Sequence, residues 1–152
     1  MPDSTVFTKI EDIILQDDIR GMKALRQYMP DGWLDASAQL LIDHPGKVLI
    51  ATGFYIIRAE EPETDGPPGA VAIGNAINAL GGTVAYVTDK NCMTVMREIA
   101  GDDEVVDFPI TTHRESSEFA HKLLVEHAPS ALVSIERAGL LGDGTYRNWK
   151  GV

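Results

Sequence analysis

The sequence predicts an α/β fold: an open, mainly parallel sheet of about four strands with helices on both faces, preceded by an N-terminal helical segment. Three observations predict it. Apolar runs of strand length alternate with helical periodicity from residue 47 to residue 135, and parallel neighbours need crossover connections that helices supply. The run Lys47-Val48-Leu49-Ile50-Ala51-Thr52 is almost continuously apolar, as a strand buried on both faces must be. Before it, the pattern is helical. One domain over 1–152 is expected, with 1–45 helical and 46–152 built from Rossmann-like βα units.

The elements follow in order. Ile10, Ile13 and Ile14 share a helical face, and Met22, Leu25 and Met29 continue at helical spacing after the polar break Gln16-Asp17-Asp18. Pro30-Asp31-Gly32 ends that segment. Leu34, Ala38, Leu41 and Ile42 mark a second helix, stopped by His44-Pro45-Gly46. The first strand, 47–52, leads into a polar loop from about Arg58 to Pro68. Ala70, Ile73, Ile77 and Leu80 then recur as on a helix packed on a sheet, ended by Gly81-Gly82. Thr83 to Val87 is a second strand, and Cys92, Met96 and Ile99 mark a helix that ends at Gly101. A third strand is expected over Val105 to Ile110, weakened by Asp107 and Pro109. Phe119, Ala120, Leu123, Leu124 and His127 mark another helix, and Ala131 to Ile135 a fourth strand.

Composition excludes several classes. Hydrophobic types make up 44% of the 152 residues, too many for a disordered chain. The most apolar run, Val48 to Ile57, contains Thr52 and Gly53 and is too short to span a bilayer. Met1-Pro2-Asp3-Ser4-Thr5 has neither the basic start of a signal peptide nor the arginines of a transit peptide, so a cytoplasmic protein is expected. The 13 Lys and Arg stand against 23 Asp and Glu, a formal net charge of −10. A chain that neutralises phosphates shows a basic footprint; none exists here, which argues against nucleic acid and anionic membranes as partners. The single cysteine, Cys92, allows no internal disulfide and no cysteine zinc cluster, and beside Met93 and Met96 it is expected to be a buried thiol. His44, His113, His121 and His127 show no metal-ligand spacing. Oligomeric state is left open, a homo-oligomer included.

In open parallel sheets, ligands bind beyond the carboxyl ends of the strands. The polar residues of interest fall there. Glu60-Glu61-Pro62-Glu63-Thr64-Asp65-Gly66-Pro67-Pro68-Gly69 lies between the first strand and its helix. It has neither phosphate-loop spacing nor a lysine, which disfavours a nucleotide, although Asp89 sits where such folds hold a ribose hydroxyl. Glu63 and Asp65 suit an ammonium group or a divalent cation such as Mg²⁺ or Mn²⁺. Gly66 and Gly69 let a small ligand approach the backbone and helix N–H groups. The same residues also suit a plain capped turn, with Asp65 as cap, the prolines in the first turn and the glutamates solvated. Glu136-Arg137 leaves the fourth strand as either a salt bridge or a zwitterion-binding pair, and Gly142-Asp143-Gly144 makes a tight loop behind it.

Together, Thr52-Gly53-Phe54-Tyr55, Glu63-Thr64-Asp65-Gly66-Pro67-Pro68-Gly69-Ala70, Val87-Thr88-Asp89 and Ile135-Glu136-Arg137-x-Gly139 with Asp143-Gly144-x-Tyr146-x-Asn148 resemble the D-glutamate cyclase family from about residue 47 onward. The resemblance implies an α/β fold and a lyase that converts D-glutamate to 5-oxo-D-proline and water. It also implies a small-molecule substrate, D-glutamate or a similar zwitterionic acid. Glu63, Asp65 and Glu136 are then candidates for the catalytic base or ammonium receptor, with Glu63 and Asp65 as candidate metal ligands. Thr52, Gly53, Phe54, Thr64, Gly66, Gly69, Arg137, Asp143, Gly144, Tyr146 and Asn148 are the candidate substrate contacts. A further glycine-rich acidic segment of the family, resembling G-D-G-G-N-E, has no counterpart before Val152, so a fragment, a shortened member or a site completed by another chain is expected. The competing readings are a non-catalytic module for a small metabolite and a nucleotide-binding domain.

Overall fold

A computed structural model describes residues 4–19 and 21–147. It divides into two compact units, Met1–His44 and Pro45–Val152, which are taken separately.

The first unit holds helix α1 (Ser4–Ile14), a 3-10 helix over Met22–Tyr28 and helix α2 (Trp33–Asp43). Met22, Leu25 and Tyr28 are three residues apart, the spacing that a 3-10 turn superposes. The expected continuation of α-helix through Met29 is therefore a tighter turn, entered through Gly21 in the left-handed region (φ 78°). Glu11 is buried here and pairs with Arg26 Nη2 at 2.8 Å, while Arg26 Nη1 donates to Asp12 at 2.6 Å. His44 Nδ1 lies 2.8 Å from the Leu40 carbonyl at the end of α2.

The second unit carries the sheet. Strands β1 (Lys47–Thr52), β4 (Thr83–Thr88), β5 (Glu104–Asp107) and β6 (Ala131–Ile135) lie in the order β5-β4-β1-β6, all parallel. Helix α3 (Gly66–Ala79) links β1 to β4, helix α4 (Met93–Ile99) links β4 to β5, and helix α5 (His113–His127) links β5 to β6. The first two crossovers step to one side of β1, and the third returns past it to the other. The sheet thus changes winding direction between β1 and β6, the switch point where such sheets bind ligands.

Residue alternation settles the two faces. Tyr86 of β4 reaches α3, where Gly74 makes room for it: a Cβ at 74 would lie 2.0 Å from the Tyr86 hydroxyl. On the other face, Leu49, Ala85 and Val87 pack against Leu123 of α5, with Phe108 and Phe119 edge-to-face at 5.0 Å. Among the described residues, every buried hydrophobic side chain belongs to this unit. Strand β6 pairs with β1 alone among them, and its Leu132 is 60% exposed.

Two differences from the sequence pattern concern short elements. The third strand ends at Asp107 rather than Ile110, because Pro109 has no N–H for the ladder. The polar loop after β1 contains a small antiparallel hairpin, β2 (Tyr55–Ile56) with β3 (Glu61–Pro62). Helix α5 starts in a reciprocal cap between Thr112 and Glu115. Among the described residues, no helix is long and apolar enough to cross a membrane.

Candidate functional site

The carboxyl ends of β1, β4 and β6 converge with the start of α3. Strand β1 delivers Thr52, fully buried, whose Oγ1 has no hydrogen-bond partner among the described residues. Gly53 follows at φ 114°, where a Cβ would lie 2.6 Å from Thr88 Oγ1 and 3.0 Å from the Cys92 side chain. Position 53 therefore requires glycine for both conformation and space. Phe54 accepts a 2.7 Å hydrogen bond at its carbonyl from the Glu63 N–H, so the hairpin carries Glu63 back to the strand end that it left.

Helix α3 opens at Asp65, whose Oδ1 accepts from the Gly66 N–H at 3.1 Å. Pro67 and Pro68 follow without N–H groups. Gly66 is buried against two strand ends: a Cβ there would lie 2.5 Å from Glu136 Cβ and 3.0 Å from Thr52 Oγ1. At Gly69 a Cβ would make only ordinary contact, 3.9 Å from Ile135 Cγ2.

Strand β6 is followed at once by Glu136, whose backbone lies in the left-handed region at φ 47°. For a residue with a Cβ this conformation is strained. It sets the Glu136 carboxylate beside the α3 start. Carboxylate oxygens of Glu63, Asp65 and Glu136 all lie within 4.8 Å of one another, with Glu63 half-buried and the other two exposed. Three carboxylates so placed repel unless a cation, an ammonium group or a proton joins them. They are hard oxygen donors of the type that Mg²⁺ and Mn²⁺ prefer, and the orphaned Thr52 Oγ1 lies against Gly66 at the same strand end.

Arg137 reaches across the strand ends. Its Nη1 donates to the Gly53 carbonyl at 2.9 Å and to Asp89 Oδ2 at 2.5 Å. Asp89 Oδ1 accepts from the Asn91 N–H at 3.0 Å. Both Asp89 oxygens thus have a partner within the chain. Beneath this pair the Cys92 thiol is fully buried. Burial pushes its pKa up, and the Asp89 charge adds to the effect.

The structure brings Thr52, Gly53, Phe54, Glu63, Asp65, Gly66, Glu136 and Arg137 to one end of the sheet, with Gly69 one turn into α3. Thr64 is exposed in the same loop. The downstream loop bonds to itself: the Asp143 carboxylate accepts from the Thr145 N–H and hydroxyl and from Arg147. These contacts, the Thr145 hydroxyl first, hold the Asp143 pKa below its ordinary value. Gly144 turns that loop at φ 79°, and Tyr146, 61% exposed, bridges Leu140. Asn148 lies outside the described residues. Asp89 is the residue that sequence reasoning missed as an Arg137 partner; its position directly after a buried strand was the available signal.

Fold and strand-end site together define an open parallel α/β domain with an acidic cluster and a guanidinium at its winding switch. The family described as "D-glutamate cyclase-like, C-terminal" matches residues 10–152, and the chain belongs to that family. It is also similar to a human protein, "D-glutamate cyclase, mitochondrial", at 38% identity over 125 residues. That match covers 73% of this chain, and the chain spans 20% of the human relative.

Proposed function

We propose that this site binds an acidic amino acid and catalyses its internal cyclisation, D-glutamate giving 5-oxo-D-proline and water. The reading rests on one observation above the others. Glu63, Asp65 and Glu136 converge from two separate loops to within 4.8 Å, at the same sheet end as Arg137. A zwitterion fits this division of charge, its ammonium group at the carboxylates and a carboxylate at the arginine. Family membership and the human relative's name support the choice of D-glutamate.

The reaction joins the α-nitrogen to the δ-carbon and breaks one carbon–oxygen bond of the γ-carboxyl group. The ammonium gives up two protons, and the departing oxygen leaves with two as water. The chain must therefore take protons from the nitrogen and return them to the oxygen. Glu136, exposed and held by a strained backbone against the α3 start, is assigned as the base. Glu63 and Asp65 receive the ammonium and fix the nitrogen toward the δ-carbon. Arg137 holds the remaining carboxylate, and the half-buried Phe54 limits water at the strand end. In place of the ammonium group, Glu63 and Asp65 would hold a divalent cation, which would supply Lewis-acid polarisation of a carboxyl oxygen and leave Glu136 as the base.

The test is incubation of the chain with D- and L-glutamate, with and without Mn²⁺, and chiral detection of 5-oxoproline. Product from D-glutamate, lost in Glu136→Gln, is expected. D-glutamate binding with no product under either condition overturns the enzyme reading and leaves a metabolite-binding module.

A further inference from the structure

We propose that Asp89 is a positioning residue that presets Arg137 to receive the ligand's carboxylate. The proposal rests on the acidic amino-acid reading of the site and adds to it the device that orients the guanidinium.

The geometry carries it. Asp89 is 7% exposed and stands at the end of β4, whereas Arg137 leaves the edge strand β6 with β1 between them. The guanidinium spans that gap and spends a single nitrogen on it, Nη1, which serves both Asp89 Oδ2 and the Gly53 carbonyl. Among the described residues, Nη2 and Nε donate to nothing. A guanidinium held by one nitrogen keeps its Nε–Nη2 edge free, and that edge presents two parallel N–H groups to a carboxylate. Asp89 is fixed in turn by the Asn91 N–H on its other oxygen, so the carboxylate cannot swing to cover the second edge.

This arrangement differs from a salt bridge that only ties strands together. A strut gains most from a bidentate pair, with both guanidinium nitrogens on both carboxylate oxygens. Here the pairing is one-sided. A free arginine would have to freeze its side chain on binding, and an arginine already fixed avoids that loss. Asp89 touches no part of the proposed reacting centre and acts through Arg137.

The experiment uses the whole chain with Asp89→Asn, Asp89→Ala, Arg137→Ala and the double variant Asp89→Ala/Arg137→Ala. Charge-assisted contacts of this kind set the expected scale, a rise of about tenfold or more in KM for D-glutamate in Asp89→Ala with a smaller change in kcat. Asp89→Asn, which keeps an acceptor for Asn91, is expected to fall between and to remain folded. In the Arg137→Ala background, Asp89→Ala is expected to add nothing. A second readout is independent of turnover: ¹⁵N spectra of the Arg137 guanidinium. Slow rotation about Cζ is expected in the parent and fast rotation in Asp89→Ala, and glutarate, a dicarboxylate without an amine, is expected to shift the Nε signal. Absent turnover with the guanidinium behaviour as described would overturn the cyclase reading and leave the positioning role standing. Normal turnover with an unchanged KM in Asp89→Ala, or multiplicative effects in the double variant, would overturn the positioning role alone.

Discussion

Gly66 and Glu136 are packed so closely that no other residue fits at 66: a Cβ there would lie 2.5 Å from Glu136 Cβ. The obstructing atom is the root of the Glu136 side chain, not its flexible tip, so the backbone itself has to move. The start of α3 and the end of β6 are thereby locked to each other, 70 positions apart in the chain.

The two glycines of this loop are expected to behave differently. Gly66→Ala should destabilise the fold by about 1–3 kcal/mol, the range for overpacking, and should reduce glutamate turnover by displacing Glu136. Gly69→Ala meets only ordinary contact and lies within a helix, where alanine is favoured by up to about 1 kcal/mol. Urea denaturation of the two variants side by side tests the contrast, and equal losses would contradict the packing described.

Glu136 is expected to trade stability for function. Its left-handed backbone is one that glycine adopts without strain. Glu136→Gly should therefore be as stable as the parent or gain up to about 1 kcal/mol, despite losing a side chain. Turnover should fall by about 10²-fold or more in both Glu136→Gly and Glu136→Gln. Thermal melts paired with product assays measure both quantities; a Glu136→Gly variant that unfolds early would show that the side chain supports the fold.

The cap of α5 sets an acid-side dependence. The Thr111 hydroxyl, then that of Thr112, holds the Glu115 pKa below its ordinary value. A carboxylate with a lower pKa folded than unfolded stabilises above its unfolded value, and the contribution disappears as pH falls through the folded one. Stability should thus decline below the ordinary glutamate range, about pH 4.3, and Glu115→Gln should flatten this part of the profile. Thr112→Ala, which removes the N-cap acceptor, should cost about 1 kcal/mol at neutral pH. Melts between pH 3 and pH 7 (roughly the carboxylate range and above) test both.

Cys92 is expected to be inert in the folded chain. Burial and the Asp89 charge both favour the neutral thiol, and the thiolate is the reactive form. Labelling with a thiol-specific disulfide reagent should be slow in buffer and complete in denaturant. Fast labelling of the native chain would place the thiol at the surface.

The parts of the fold visible in the sequence are those with enough length to show a period. Strands β1 and β4 and helix α3 each bury several residues, and β6 and α5 repeat their apolar positions over a whole element, so the spacing of all five is read directly. The β2–β3 hairpin has two residues per strand, too few for any alternation to register. At the site, Glu63, Asp65 and Glu136 stood out as charge beside buried strands, whereas their mutual distance depends on the close approach that Gly66 permits. The Asp89–Arg137 pair joins residues 48 apart and is set by strand order, which local pattern does not carry. Asp143 illustrates an ambiguity of a different kind. The Asp-Gly pair that suits a ligand loop also suits a turn, and here the carboxylate is taken up by Thr145 and Arg147.

The Pro67–Pro68 pair at the start of α3 has a consequence for ligand polarity. A helix start attracts anions through its unpaired N–H groups. Here two of those groups are absent, and a third, at Gly66, is turned toward Asp65. Three carboxylates then occupy the place where a sheet of this topology usually seats a negative group. On the proposed acidic amino-acid reading, the sign of the switch point is reversed: the positive end of the ligand belongs at the helix and the negative end at Arg137, so a dipolar ligand has one direction in which to lie.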